Sequence, residues 1–332
     1  TWVEQTASDR VSFYRFRYTE DAEANILVNL GGYVSTSTMT GAQVNKKSDT
    51  EIEGSFNTVG RIWGGPEKIR IFFALKLEKP MERFDSWKGE IKKTDVSSLE
   101  AEDVSSPRRE KGMSYHDAPT AGVSAYYHVK RGDELKVKIA ISYTSIENAW
   151  ENMESDFNHW DFEKIREEAR DDWNQSLGKI DVKGGTRDQR VKFYTDLWHT
   201  LLGRHKLNDY SGDYPDYTQG EKKGAHTDAS LQVRKLPSGA DGNPKFNMYN
   251  SDAFWLTQWN LNILWGLGWP HLLDDFSASL VQYADNGKLL PRGPCAGGYS
   301  YIMTGCPATN LIVSAYMKGL LRKVDDKHAF EI

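Results

Sequence analysis

Cysteine is nearly absent from this 332-residue sequence, which has only Cys295 and Cys306. Their spacing matches no metal-binding motif, so no cysteine-based zinc or iron–sulfur site is predicted. We expect two free thiols. The alternative is a disulfide that closes the loop between them, which would matter only in an oxidising compartment.

The sequence also lacks an excess of basic residues and any long apolar run. Its 42 Lys and Arg against 47 Asp and Glu give a formal net charge of -5, which argues against nucleic acid as a partner. No run of about 18 apolar residues occurs, so no membrane-spanning helix is predicted. The length and the 39% of hydrophobic residues indicate a soluble, globular protein, with two domains rather than one.

An initiator methionine and a signal peptide are missing at Thr1, and the chain stops at Ile332 without a cap or tail. We therefore expect a processed or partial chain with sequence missing on both sides.

Residues 1–145 are rich in short β-branched and aromatic runs separated by Gly, Asp, Asn and Pro. The runs are VSFYRFRY, ANILVNLGG, EIEGSFNTV, IRIFFALKLEKP, GVSAYYHV and ELKVKIAISYTS. Such spacing predicts strands of an antiparallel β-sandwich. The polar segment from Asp95 to Thr120 predicts a long surface loop.

The composition changes near Ser145, where apolar residues adopt helical spacing. Residues 146–183 are predicted to form linker helices and then a short strand, KIDVKGG. Thr186 and Gln189 form a capping-box pattern at the start of the next helix. Helix-length segments follow, including one through 254–268, so residues 184–332 are predicted to form a helical domain.

Four tryptophans and several amides, with no charge, lie within the stretch FWLTQWNLNILWGLGWP at 254–270. An indole packs on the C–H face of a sugar, and amides serve the neutral hydroxyls. On one helix Trp255 and Trp259 would share a face beside Gln258 and Asn262, with Asn260 between them. We predict a sugar-binding surface there; burial in the core is the alternative. Trp265 and Trp269 fit a buried helix seam better.

Other candidate residues surround this segment. Asp252 precedes the predicted helix, where a carboxylate would either cap it or contact substrate. Arg292 lies in the loop LPRGPCAGGYS, which we expect to bring it and Tyr299 or Tyr301 toward the substrate; a loop-tying salt bridge is the alternative. Arg204 and His205 lie in LLGRHKLNDYSGDYPDY, and His205 is either a site residue or a hydrogen-bonded core histidine.

Three aspartates in the same segment, Asp209, Asp213 and Asp216, raise the question of a metal site. Their spacing differs from an EF-hand loop and lacks its closing glutamate. An acidic surface turn is the preferred interpretation, and the sequence assigns no metal ligand within this chain.

The order of KIDVKGG, KFYTDLWHTLL, NDYSGDY, the Trp-rich segment, NGKLLPRGPCAGGYSYIMTGCPA and LIVSAYMKG resembles the exo-α-mannosidases of glycoside hydrolase family 92. The resemblance covers nearly the whole chain. It implies an N-terminal β-sandwich, linker helices and the first part of an (α/α)6 barrel.

The resemblance also implies a function. Family members are inverting, calcium-assisted enzymes that remove terminal α-linked mannose from glycans, and this chain would supply part of the substrate pocket. Secretion or a periplasmic location would follow. The acid, the general base and most calcium ligands belong to segments after the end of this chain, which would complete the barrel.

This sequence departs from the family pattern at two places. Many members have a tryptophan followed by Asp, Thr, an aromatic residue and Arg, whereas this chain has Trp255, Leu256, Thr257, Gln258 and Trp259. Cys306 stands where an Asp of a Gly-Asp-Pro-Ala sequence is usual. Two alternatives therefore remain: a non-catalytic glycan-binding relative, or another (α/α)6 carbohydrate enzyme such as a phosphorylase or a lyase.

Overall fold

The structure is a computed structural model that describes residues 1–31, 33–34 (backbone only), 37–59, 64–102, 120–250, 254, 257–302 and 304–332. The chain forms two compact units, Thr1–Ile62 with Lys68–Ala169 and Trp63–Glu67 with Arg170–Ile332.

The first unit consists of two antiparallel sheets, one helix and the first half of a second helix, which continues into the second unit. Its strands are β1 Trp2–Ala7, β2 Val11–Arg17, β3 Ala22–Asn29, β4 Tyr33–Val34, β5 Ser37–Lys46, β6 Glu51–Val59, β8 Lys68–Leu77, β9 Arg83–Lys88, β10 Ile91–Lys93, β11 Ser98–Ala101, β12 Ala121–Val129 and β13 Glu134–Ser142. The larger sheet has the order β1-β2-β13-β8-β6-β5-β11 with β4 beside β5, and the smaller has the order β10-β9-β12-β3.

The two sheets share one core, as the alternation of apolar residues predicts. Val137 on β13 pairs with Leu77 on β8, and Ala125 on β12 pairs with Phe84 on β9. All four side chains are buried in the same hydrophobic cluster. The predicted antiparallel β-sandwich is therefore confirmed.

The larger sheet is also covered on its outer face. In β2, Tyr14 and Phe16 pack against the sandwich core, while Val11 and Phe13 join a second cluster with helix residues. Those helices are α1 (Ile146–Asp156) and α2 (Phe162–Leu177). The Ser145 hydroxyl accepts a hydrogen bond from the backbone N–H of Asn148 at 3.0 Å, which caps α1.

The second unit contains the remaining described helices and several short strands. They are β7 Gly65–Pro66, α3 Arg187–Leu201, β14 His205–Lys206, β15 Asp213–Asp216, β16 Lys222–Lys223, β17 His226–Thr227, β18 Gln232–Lys235, β19 Tyr249–Asn250, a 3-10 turn Thr257–Trp259, α4 Leu261–Gly268, α5 Pro270–Gly287, β20 Gly293–Cys295, β21 Gly298–Ser300, α6 Pro307–Met317 and α7 Asp326–Glu331.

The core of this unit lies among α4, α5 and α6. Trp265 meets Phe276 edge to face, with 5.2 Å between ring centroids, and both contact the cluster that includes Leu311. The predicted helical region after the sandwich is confirmed. In the part of the chain that the structure describes, these helices form no closed barrel.

The apolar face predicted for α3 is only partly buried. Leu197 is buried, whereas Val191 is 50% and Phe193 is 36% exposed. The capping box that the sequence predicts at Thr186 and Gln189 is present, with both reciprocal hydrogen bonds formed.

Two local predictions were wrong. The segment Asp95–Thr120 contains strand β11, whose Leu99 pairs with Val44 and is buried. The alternation of apolar and polar residues in this strand therefore outweighs its polar flanks. Residues 103–119 lie outside the described part.

The segment KIDVKGG forms no strand. The Tyr194 hydroxyl donates to the Ile180 carbonyl at 2.9 Å and accepts from the Val182 N–H at 3.3 Å, so a side chain satisfies these backbone groups instead of a neighbouring strand.

Candidate functional site

The short pair β14–β19 fixes the position of His205. Its partner in the register is Asn250, and Lys206 lies opposite Tyr249. Backbone hydrogen bonds extend this pairing, because the Leu207 N–H donates to the Met248 carbonyl at 2.7 Å. The His205 side chain is exposed at the surface of the unit, so it is not a core histidine.

Arg204 lies against the helix that follows the Trp-rich segment. Its guanidinium carbon is 4.5 Å from the centroid of the Trp265 ring, and Nη1 donates to the Leu202 carbonyl at 2.7 Å. The Trp265 indole N–H donates to the Thr200 carbonyl at 3.1 Å. Arg204 therefore ties the chain after α3 to α4 through a cation–π contact.

The Trp-rich segment is not one continuous helix. A 3-10 turn spans Thr257–Trp259, and α4 begins at Leu261 after its N-cap Asn260, whose φ of -157° is outside the helical range. The expected i,i+4 helical face for Trp255 and Trp259 was therefore wrong, because no α-helix covers Trp259.

The tryptophans of this segment differ in exposure, as the sequence predicts. Trp265 and Trp269 are each 1% exposed and belong to the core. Trp259 is 73% exposed, and the neighbouring Gln258 and Asn260 are exposed as well. Asp252 and Trp255 lie outside the described residues.

Arg292 immediately precedes a small hairpin formed by β20 and β21. Cys295 pairs with Gly298 across a two-residue turn, in which Ala296 has φ 50° and Gly297 has φ 87°. Positive φ at both turn positions suits the twist of a tight hairpin. The Arg292 side chain is exposed.

Of the two tyrosines expected near the substrate, Tyr299 or Tyr301, Tyr299 lies in the core. It is 1% exposed, and its hydroxyl donates to the Tyr283 carbonyl at 2.8 Å. Burial raises the pKa of Tyr299. Tyr301 is half-buried, with the Lys222 ammonium 4.7 Å from its ring centroid.

Asn250 is a residue that the sequence reasoning missed. Its Oδ1 accepts a hydrogen bond from the Ala296 N–H at 2.5 Å, while its backbone pairs with His205. It therefore connects the chain that carries Arg204 and His205 to the hairpin after Arg292. The sequence signal for such a contact was the pair Ala296-Gly297. An alanine in a two-residue hairpin turn adopts a strained positive φ and therefore needs a stabilising contact from outside the turn.

The aspartates of the segment 204–217 do not form an acidic surface turn. Asp209 and Asp216 are buried, and only Asp213 is partly exposed. Asp216 forms a salt bridge with Arg234 and accepts from the Thr218 N–H at 2.8 Å. The hydrogen bond to Asp216 raises the pKa of Arg234. The predicted acidic surface turn was wrong because the pairing of β15 with β18 places Asp216 inside the fold.

Two further buried carboxylates lie on α5. Asp274 accepts from the Arg322 N–H at 3.0 Å and forms a salt bridge with the Arg322 side chain. Asp275 forms a salt bridge with Lys323. Both charges are neutralised, so these aspartates hold the segment after α6 against α5.

These carboxylates do not fit a calcium site. Within the described residues, no group of three or more His, Cys, Asp or Glu side chains is placed to hold a metal ion. Asp216, Asp274 and Asp275 each form an ion pair with a cationic side chain instead.

Two further predictions concern the cysteines and a membrane span. Cys295 is buried, Cys306 is exposed, and no disulfide joins the two thiols, as expected. Among the described helices, none has the length and apolar character needed to cross a bilayer.

Comparison with known families covers both units. The Glycosyl hydrolase family 92 N-terminal domain matches residues 1–142, and the Glycosyl hydrolase family 92 catalytic domain matches residues 148–332. Together the matches span nearly the whole chain. This chain belongs to glycosyl hydrolase family 92.

Solved structures share this fold over 99% of the chain. A family GH92 α-mannosidase from Bacteroides thetaiotaomicron, in complex with mannoimidazole, matches with a TM-score of 0.81 at 18% identity. A family GH92 inverting mannosidase from the same organism matches with a TM-score of 0.76 at 20% identity. The chain spans only 39% of either one.

One curated protein shows a local match. An uncharacterized secreted glycosidase from Arthroderma benhamiae is 30% identical over 86 residues, which are 24% of this chain and 11% of that protein.

Proposed function

We propose that the complete protein is a glycosidase that removes terminal α-linked mannose from glycans, with inversion at the anomeric carbon. The observation that carries this proposal is the match of both family 92 domains, at residues 1–142 and 148–332. The solved neighbours support it, since they include α-mannosidases and one inverting mannosidase.

In this proposal the chain contributes one wall of the sugar pocket. The exposed Trp259 ring would pack on the C–H face of a pyranose, and Gln258 and Asn260 would exchange hydrogen bonds with its hydroxyls. His205 and Arg292, both exposed, would contact the rim. Arg204 would support the wall through Trp265. Asp252 and Trp255 belong to the same proposal through the sequence alone.

The reacting carboxyl groups are assigned to other segments of the complete protein. Inversion needs one protonated and one ionised carboxyl, separated widely enough to admit a water. The buried aspartates Asp216, Asp274 and Asp275 are bound in ion pairs, which suits them poorly to either role. Exposed apolar side chains on α4 and α6, such as Leu267 (81%) and Met317 (75%), are surfaces for further helices of an (α/α)6 barrel.

Calcium assistance and secretion are parts of the proposal that rest on the family resemblance. Calcium ligands are proposed to come mostly from segments after residue 332, as the family resemblance implies; among the described residues no group of side chains is placed to hold the ion. Export from the cytoplasm is supported by the local match to a secreted glycosidase.

The test is hydrolysis of α-mannosides by the complete protein, with the anomer of the first product read by NMR. Release of β-mannose supports the proposal, and loss of turnover with a chelator, restored by calcium, supports calcium assistance. Residues 1–332 alone should leave the substrate intact. Mannose binding without turnover in the complete protein would instead indicate a non-catalytic glycan-binding relative and overturn the proposal.

A further inference from the structure

Asn250 joins two surface segments of the second unit that carry candidate sugar-binding residues. Its backbone pairs with His205 in β14–β19, and its side-chain oxygen accepts from the N–H of Ala296 at the tip of the β20–β21 hairpin. Arg292 lies directly before β20. Asn250 therefore connects strand β14, which carries His205, to the β20–β21 hairpin that follows Arg292.

The turn that Asn250 contacts has a conformation that alanine rarely adopts. Ala296 has φ 50°, whereas its neighbour Gly297, at φ 87°, tolerates such an angle. The other turn residue is held independently, because the Tyr217 N–H donates to the Gly297 carbonyl at 2.8 Å. The hydrogen bond to Asn250 thus supports the strained half of the turn.

The hairpin also covers a thiol that can report on its position. Cys295 is 1% exposed, and its Sγ donates to the Gly64 carbonyl at 3.3 Å. A methyl group at Gly65 would lie 2.8 Å from the Cys295 sulfur, so the packing here is tight. If the turn relaxes, this sulfur becomes reachable by reagents.

We propose that Asn250 is a positioning residue of the mannoside site: it holds the hairpin turn, and thereby Arg292, at a fixed place relative to His205. It acts through the Ala296 N–H and does not itself contact the sugar. This inference rests on the proposed function.

The test compares variants of the complete protein on an aryl α-mannoside. Asn250→Ala removes the acceptor, and we expect KM to rise about 10-fold while kcat changes less than about threefold, because substrate binding rather than the chemical step is disturbed. Asn250→Asp keeps an acceptor oxygen and should restore most of the lost affinity. Adding Ala296→Gly to Asn250→Ala should also lower KM, because glycine adopts positive φ without strain.

A second readout is independent of activity. Native-state alkylation of Cys295, quantified by peptide mass spectrometry, should become about 10-fold faster in Asn250→Ala. This rate corresponds to an open fraction of the hairpin turn that is about 10-fold larger than in the wild-type protein. The matched control is Asn243→Ala, because the exposed Asn243 side chain donates to Asp241 within its own turn. Neither KM nor labelling should change in that control.

The outcomes separate this inference from the proposed function. Failure of the wild-type protein to cleave mannosides overturns the proposed function, while Cys295 labelling still decides whether Asn250 holds the turn. Unchanged labelling in Asn250→Ala overturns the inference. So does an unchanged KM in an active enzyme, or an Asn250→Asp variant as impaired as Asn250→Ala.

Discussion

The ammonium group of Lys138 lies 4.5 Å from the centroid of the Trp160 ring, inside the first unit, where the lysine is only 2% exposed. The centroid of the Phe157 ring lies 4.8 Å from Nζ, and the Phe157 carbonyl accepts a hydrogen bond from Nζ at 3.4 Å. Aromatic faces attract the cation, but they do not replace its water. Burial accordingly lowers the pKa of Lys138 to about 8.

We expect this lysine to make stability depend on pH. The folded-state pKa of about 8 is below the ordinary value of 10.5, so between these values the unfolded chain binds more protons. The free energy of unfolding therefore rises with pH across that window and is lowest, for this group, below pH 8. Of the nearby charges, Glu154 raises the Lys138 pKa and Lys76 lowers it.

Lys138→Met tests this expectation by urea unfolding of the complete protein from pH 7 to 10.5. The methionine variant should be more stable at pH 7 by up to about 3 kcal/mol, and the difference should shrink as pH rises. Lys92→Met, at an exposed strand position, is the control and should differ little at any pH. A difference between Lys138→Met and wild type that stays constant with pH would contradict the assignment.

The N-cap of α3 gives a second prediction. The Thr186 hydroxyl accepts from the Gln189 N–H at 3.2 Å, and the Gln189 side chain accepts from the Thr186 N–H at 2.9 Å. Thr186→Ala should lower the free energy of unfolding by about 1 kcal/mol, since one helix donor loses its partner. Thr186→Ser keeps a hydroxyl and should lose much less. Equal losses in both variants would show that the hydroxyl is not the cause.

Local sequence patterns predicted those features whose cause is local. The capping box at Thr186 needs only two residues three positions apart, and the strands of the sandwich follow from alternation within each segment. Buried Trp265 and Trp269 followed from their leucine-rich surroundings. In each case the signal lies within a few residues of the feature.

Features that depend on distant partners were missed. Strand β11 exists because β5 offers it an edge far away in sequence, as in the pairing of Leu99 with Val44, 55 positions earlier. Asn250 acquires its role from Ala296, and Asp216 becomes buried because of Arg234. A local pattern marks at most one member of each pair, such as the alternation in Ser98–Ala101 or the Ala296-Gly297 turn, and never its distant partner. Single-sequence reasoning therefore could not identify these pairs.

Asn262 gives a third prediction, about an uncompensated polar group. The side chain is 1% exposed, and neither Oδ1 nor Nδ2 has a hydrogen-bond partner in the described structure. A buried amide without partners costs stability, whereas an apolar group of similar shape does not. Asn262→Leu should therefore raise the free energy of unfolding by about 1 kcal/mol.

The control for Asn262 is a buried asparagine with partners. Asn208 is 4% exposed, its Oδ1 accepts from the Met248 N–H at 2.8 Å, and its Nδ2 donates to the Asp209 carbonyl at 3.0 Å. Asn208→Leu should lower the free energy of unfolding by about 1–3 kcal/mol. Destabilisation by both leucines would mean that the Asn262 amide is satisfied in solution.

The last prediction separates the tryptophans of the Trp-rich segment. Trp265 is 1% exposed and packs on Phe276, so Trp265→Ala should lower the free energy of unfolding by about 3–5 kcal/mol. Trp259 is 73% exposed, so Trp259→Ala should change the free energy of unfolding by less than about 0.5 kcal/mol.

If Trp259 packs on the sugar, kcat/KM of the complete protein on an α-mannoside should fall about 10-fold or more in Trp259→Ala. Trp2→Ala, which removes a tryptophan that is 71% exposed in the first unit, is the control and should leave kcat/KM unchanged. Unchanged kcat/KM in Trp259→Ala would remove the stacking role from Trp259, because an exposed indole that contributes neither to folding nor to turnover has no function in the site.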